Sequence, residues 1–251
     1  MAHINKTLWI GAGIALAMAS CGGNEVDIER ARYLLGKGSK SAALEAISLL
    51  EPKLATTSGE EKFEVVQLYS GARMQAAGFS GVKIISSLIY RGNTGSGEES
   101  TVGFVRRASD LDSDSETNLI GTDGAIPTLT GFQADAVYTG SNNTALKDII
   151  EYQLGLAYFL EVLRDTLQSS GLGATGSVPA ACETNLETNG FTFTDVRTRL
   201  TSSRTELLNS GLDSTNEFVD LVTDFRDAIP TAGTDAQQRT EFCNYLNRQT
   251  Q

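Results

Sequence analysis

The feature that most constrains this chain is the stretch Leu154-Gly155-Leu156-Ala157-Tyr158-Phe159-Leu160, apolar on nearly every side of a helix. Such a helix has no face to give to water, so it belongs at the centre of a bundle. Glu151 and Glu161 bracket the run, leaving it far short of the roughly 20 apolar residues that a membrane span requires. Beyond Glu161 the pattern narrows to one face through Val162, Leu163 and Leu167. With Asn143 or Thr144 as its cap, the sequence predicts a core helix over 144–169. The fold class that follows is all-α, with about eight helices around this centre, as a bundle or a short array of helix hairpins.

Helical spacing recurs elsewhere. Ile28, Ala31, Leu34 and Leu35 outline a helix that begins at Glu25 and stops at Gly36 or Gly38. Ser39 or Ser41 caps a second helix, which carries Ala42, Ala43, Ala46, Ile47, Leu49 and Leu50 and ends at Pro52. A third runs from about 58 to 77 with Phe63, Val66, Leu68, Tyr69, Ala72 and Ala76 inward, and a fourth spans 80–90. Gly- and Ser-rich residues 91–100 and the irregular stretch 109–131 make 91–131 a loop-rich insertion or hinge, followed by a short helix at 132–139. After a loop at 170–190, helices are expected at 194–209, 213–228 and 234–248, marked by Leu200 and Leu207, by Phe218, Leu221, Val222 and Phe225, and by Phe242, Tyr245 and Leu246. Pro230 closes the middle one.

The N-terminus reads differently. Lys6 is the only charge in residues 1–6, an apolar run follows over 7–19, and Ala19-Ser20-Cys21 brings small residues up to a cysteine. This segment resembles the signal peptide and lipobox of a bacterial lipoprotein, with Met18 where the family usually has Leu. The resemblance implies cleavage after residue 20, acylation of the Cys21 thiol, and residues 21–24 as a very short tether before a single α-helical domain over 25–251. The alternative is an ordinary cleaved signal that happens to meet a cysteine. Gly22, where an Asp would resemble an inner-membrane retention signal, points to the outer membrane of a Gram-negative cell.

Cleavage would remove His3, the one histidine, and Trp9, the one tryptophan. Without histidine there is no Ser-His-Asp or Cys-His nucleophile pair, no imidazole metal site and no His-held haem. Neither catalysis nor a cofactor is expected. With Lys6 gone, 19 basic residues face 31 acidic ones, for a net charge of about −12, which argues against nucleic acid and gives no attraction to anionic headgroups. Two cysteines remain, Cys182 and Cys243. Outside the cytoplasm an even pair reads as a disulfide, and two free buried thiols are the other reading.

A second resemblance covers residues 25–90. Ala31, Leu34, Gly38, Ala43 and Ile47 fall near the small and apolar positions of a tetratricopeptide repeat, and the next helix pair, with Gly71 and Gly78, is similar to a degenerate second copy. Leu50 and Ala55 stand where the family has Ala and Pro, and a generic helical hairpin gives much of the same pattern. The repeat resemblance implies an interaction surface and no activity of its own. On this division 25–90 holds the repeat-like pairs, 91–131 the insertion and 132–251 a helical bundle.

Two motifs carry chemistry in other chains. Gly171-Leu172-Gly173-Ala174-Thr175-Gly176 has the dinucleotide spacing, but it follows a long helix and leads to Pro179, so a helix C-cap and loop is the reading taken. Asp110, Asp112 and Asp114 place oxygens at alternate positions, as calcium loops do. Ser115 sits where such a loop needs Gly and Gly121 where it needs Glu, so a solvated acidic loop is the competing reading. Tyr33, Tyr69, Tyr90, Tyr152, Tyr158 and Tyr245 read as packing residues, some lining a groove between helix pairs. The expected protein is held at the membrane by lipid on Cys21 and acts as a non-catalytic module that docks an envelope protein. The alternative is a small-ligand-binding lipoprotein with its pocket between helix pairs.

Overall fold

The computed structural model describes residues 23–79, 119–121, 124–172 and 178–248. They form an all-α bundle of ten α-helices: α1 (Gly23–Gly36), α2 (Lys40–Leu50), α3 (Gly59–Ala76), α4 (Ala125–Gln133), α5 (Ala136–Gly140), α6 (Thr144–Ser170), α7 (Cys182–Thr188), α8 (Phe193–Asn209), α9 (Glu217–Ala228) and α10 (Asp235–Arg248). The expected helix at 80–90 and most of the 91–131 insertion lie outside the described residues.

The apolar run is the centre. Leu154, Gly155, Leu156, Ala157, Phe159, Leu160, Val162 and Leu163 of α6 are all buried, and α3, α4, α7 and α8 pack around the helix. Asn143 caps its start by accepting a hydrogen bond from the Leu146 N–H at 3.3 Å. Its end is a left-handed turn at Gly171 (φ 74°), where the Gly171 and Leu172 amides donate back to the Gln168 and Leu167 carbonyls. That pair of hydrogen bonds, sealed by buried Leu172, is the Schellman motif that ends many helices. The G-x-G-x-x-G spacing is therefore a helix stop at its first glycine, and residues 173–177 lie outside the described set.

Gly155 has a particular use. The α6 and α8 backbones approach so closely there that a Cβ on Gly155 would lie 2.8 Å from Leu207 Cγ and 2.9 Å from the Ser203 carbonyl oxygen. The buried Ser203 hydroxyl closes the crossing by donating to the Gly155 carbonyl at 2.7 Å.

Two apolar clusters share α3. One face of that helix, with Phe63, Val66, Met74 and Ala76, joins the main core around α6. Another, with Val65, Tyr69 and Ala72, meets Ile28, Ala31 and Leu34 of α1 and Ala42, Ala46 and Leu50 of α2. The α1–α2 hairpin thus packs on α3 through a small core of its own. Ser39 is the residue that caps α2, accepting from the Ala42 amide at 3.3 Å.

Several boundaries differ from expectation. Irregular chain was expected through 131, yet α4 begins at Ala125. Pro127 falls in the first turn, where a missing N–H costs nothing, and the Ile126 amide is satisfied by the Ile120 carbonyl at 2.9 Å. Residues 182–188, read as loop, form α7, which buries Cys182 and Leu186. Pro52 does not stop the chain's helical course at once but sits in a 3-10 turn, Glu51–Lys53. Helix α9 starts at Glu217 and not near 213, because Asn216 caps it by accepting from the Phe218 amide at 3.0 Å. The short helices raise the number above the expected eight.

Candidate functional site

Cys21, the expected lipidation residue, and Asp110, Asp112 and Asp114, the candidate calcium ligands, lie outside the described residues. Among the described residues no group of three or more Cys, Asp or Glu side chains is arranged to hold a metal ion. Cys182 and Cys243 form a disulfide with their Cα atoms 6.1 Å apart. It ties the start of α7 to α10, beside a set of rings in which Phe242 meets Phe191 (5.5 Å between centroids), Phe193 (5.6 Å) and Phe225 (6.2 Å).

Of the tyrosines singled out, Tyr69 is buried, Tyr152, Tyr158 and Tyr245 are half-buried, and Tyr33 is exposed. Burial pushes both the Tyr69 and Tyr152 hydroxyls above the usual tyrosine range. Tyr90 is outside the described residues.

The tyrosine with the strongest polar surroundings is Tyr138 of α5, which sequence reasoning passed over. Its hydroxyl donates to Glu151 Oε1 at 2.7 Å, and its ring stacks on Phe63 at 5.9 Å and meets Phe132 edge-on at 5.7 Å. Lys147, one turn before Glu151, lies 5.1 Å above the same ring. On the far side Gln133 donates to Glu206 Oε2 at 3.1 Å, joining α4 to α8. Burial, then the bond to Glu151, pushes the Tyr138 hydroxyl well above its ordinary range. Burial also raises the Glu206 carboxyl, and the charge on Glu151 adds to the effect. Two carboxylates from α6 and α8 thus share one half-buried region with a phenol and an amide. Chemically, the arrangement holds a proton to higher pH than a free carboxylate does. Lys62 flanks it, bonded to Asp135 at 2.8 Å. That bond and the Val137 amide hold the Asp135 carboxyl below its usual range.

A second charged group lies farther along α6. Arg199 of α8 meets Asp165 at 2.5 Å and Glu161 at 3.5 Å. Burial raises the Glu161 carboxyl despite that cation, and a Cβ on Gly121 would collide with its oxygens, so the Leu119–Gly121 segment seats directly on this group. Burial lowers the neighbouring Arg164 guanidinium from its ordinary value.

Among the described residues, the exposed large apolar side chains are few. Val26 (65% exposed) and Tyr33 (68%) lie on α1, Leu44 (38%) on α2 and Ile149 (38%) on α6. Ion pairs hold the hairpin together and onto α3: Arg30 of α1 with Glu45 of α2 at 2.5 Å, Lys53 just after α2 with Asp27 of α1 at 2.9 Å, and Arg32 with Glu29 on its own helix and with Glu64 of α3. Among the described residues no helix is long and apolar enough to cross a membrane. No protein-family model matches the chain, and comparison with curated proteins and with solved structures gives no match.

Proposed function

We propose that this is a lipid-anchored cell-envelope protein, held at the outer membrane through Cys21, whose folded body is a non-catalytic docking module for an envelope protein. The observation that carries the docking role is the α1–α2 hairpin packed on α3 through its own apolar cluster. Helix pairs that add a small core of their own to a neighbouring helix are the unit of repeat-like binding proteins, and the tetratricopeptide-like spacing of residues 25–50 agrees with that unit. The anchor rests on the apolar run 7–19 and the Ala19-Ser20-Cys21 sequence. Many of the polar side chains of a type that does chemistry bond one another: Tyr138 with Glu151, Gln133 with Glu206, Arg199 with Asp165.

Two experiments test the reading. A photo-crosslinking amino acid at Leu44 should trap one discrete partner in intact cells; adducts no different from those at exposed polar sites would refute docking through the hairpin. Cys21→Ser should move the protein out of the membrane fraction or block its processing, and a mature, membrane-bound Cys21→Ser protein would refute the anchor.

The small-ligand reading draws on the cluster of Tyr138, Glu151, Glu206 and Gln133, in which the Tyr138 hydroxyl and the Glu206 carboxyl hold their protons more tightly than usual, as suits a polar ligand. Under that reading Glu206→Ala abolishes ligand-induced thermal stabilisation, whereas under the docking reading it leaves crosslinking from Leu44 unchanged.

A further inference from the structure

Helix α1 begins at Gly23, one residue past Gly22 and two past Cys21. Residues 1–22 therefore lead directly into this helix. Its inner face is spoken for: Ile28, Ala31 and Leu34 are buried against α2 and α3. Its outer face carries the two most exposed large apolar side chains of the described residues, Val26 and Tyr33. Seven residues apart, they stand on the same side of the helix, about 10 Å from each other along its axis. Lys37 sits over the Tyr33 ring at 4.6 Å, and Arg30 lies on the same side one turn beyond Val26.

Charge points the same way. The whole chain carries a net charge of −11, but Glu25, Asp27 and Glu29 of α1 are matched by Arg30 and Arg32 in the same helix and by Lys37 and Lys40 just after it. The acidic excess lies elsewhere, so this end of the molecule is not repelled by anionic headgroups. An exposed Tyr beside a Val, with Lys and Arg at its margins, is the composition of a helix lying in the headgroup layer of a bilayer.

We propose that α1 is the bilayer-facing element of the protein, its Val26–Tyr33 face resting in the lipid headgroup layer beside the acylated Cys21. The inference rests on the lipid-anchor reading and adds an orientation to it. The acyl chains hold the protein, and α1 sets which way the body faces, leaving the α6–α10 side turned to the aqueous phase.

The test uses the full chain, acylated at Cys21 and reconstituted into phosphatidylcholine–phosphatidylglycerol vesicles. With Cys21 acylated and Cys182 bonded to Cys243, a cysteine introduced as Val26→Cys, Tyr33→Cys or Ser214→Cys is the sole free thiol of the three-cysteine chain. Each is labelled with an environment-sensitive fluorophore. Val26, Tyr33 and Ser214 are all exposed, so the substitutions leave the fold intact, and Ser214 lies between α8 and α9, whereas α1 packs mainly on α2 and α3. Labels at 26 and 33 should emit at shorter wavelength and be quenched at least threefold more by shallow nitroxide lipids than the label at 214. Equal quenching of all three by aqueous iodide, on protein that floats with the vesicles and carries the acyl mass, would overturn the orientation alone. Protein that neither floats nor carries the acyl mass would overturn the anchor reading and the inference with it.

Discussion

Gly155→Ala probes the centre of the fold. At an exposed helical site the change would stabilise the protein by up to about 1 kcal/mol, because alanine loses less backbone freedom than glycine. Here the new methyl meets Leu207 Cγ at 2.8 Å and the Ser203 carbonyl oxygen at 2.9 Å. The leucine can turn aside, but the backbone oxygen moves only if α8 moves. Overpacking of this kind costs about 1–3 kcal/mol. Moving α8 also stretches the buried 2.7 Å bond from Ser203 to the Gly155 carbonyl, and leaving those groups unsatisfied costs about 1–3 kcal/mol more. The net expectation is a loss of about 2–4 kcal/mol, or roughly 5–12 °C in Tm for a chain of this size. Gly131→Ala is the matched control. Gly131 is exposed within α4 with nothing within 4 Å of a built Cβ, so the same substitution should stabilise by about 0.5–1 kcal/mol. Chemical denaturation of both variants against the parent is the assay. If Gly155→Ala proves as stable as Gly131→Ala, the close crossing of α6 and α8 is wrong.

Three further outcomes are expected. Replacing Cys182 and Cys243 by serine opens a loop with a sequence separation of 61 residues, which the chain-entropy relation values at about 4 kcal/mol; a denaturation midpoint unchanged by the replacement or by reductant would refute a structural role. Glu206 binds its proton more tightly in the folded chain than in the unfolded one, so its stability contribution is complete below the ordinary glutamate range and is lost as pH rises through the raised folded value. Glu206→Gln should therefore raise Tm at pH 7.5 by roughly 1–3 °C and have little effect at pH 4, read by thermal scans at both pH values; a larger gain at the acid end would contradict the sign. Asn143→Ala removes the acceptor for the Leu146 amide and should cost about 1 kcal/mol by denaturant melt, with a loss below the error of the melt counting against the cap.

Much of the fold was legible because its signals are local. A helix is a relation between residue i and residues three or four away, so Ile28, Ala31 and Leu34, or Phe218, Leu221, Val222 and Phe225, announce their elements directly. Caps are equally local: of Asn143 or Thr144 and of Ser39 or Ser41, the structure uses Asn143 and Ser39. The disulfide was one of two readings of Cys182 and Cys243, the other being two free buried thiols, and the structure bonds them. What misled was punctuation: glycine, proline and polar residues at 124–131 and 179–188 read as loop, yet α4 and α7 form there because Leu129, Phe132 and Leu186 have a core to enter. Tertiary burial outweighs local propensity when helices are this short.

By itself, then, the sequence determined that this chain is helical and that 144–169 lies at its centre, and it left Cys182 and Cys243 as a candidate pair whose bonding the structure decided. Only the tertiary structure decided that Gly155 is a crossing point, that α3 serves two cores, and that Tyr138, Glu151, Gln133 and Glu206 share one region. The reason is range. Ser203 bonds a carbonyl 48 residues earlier, Gln133 reaches Glu206 across 73, and no period of 3.6 carries information over such distances. Those contacts exist because packing an all-round apolar helix requires neighbours on every side, and which side chains then meet is settled by the crossings.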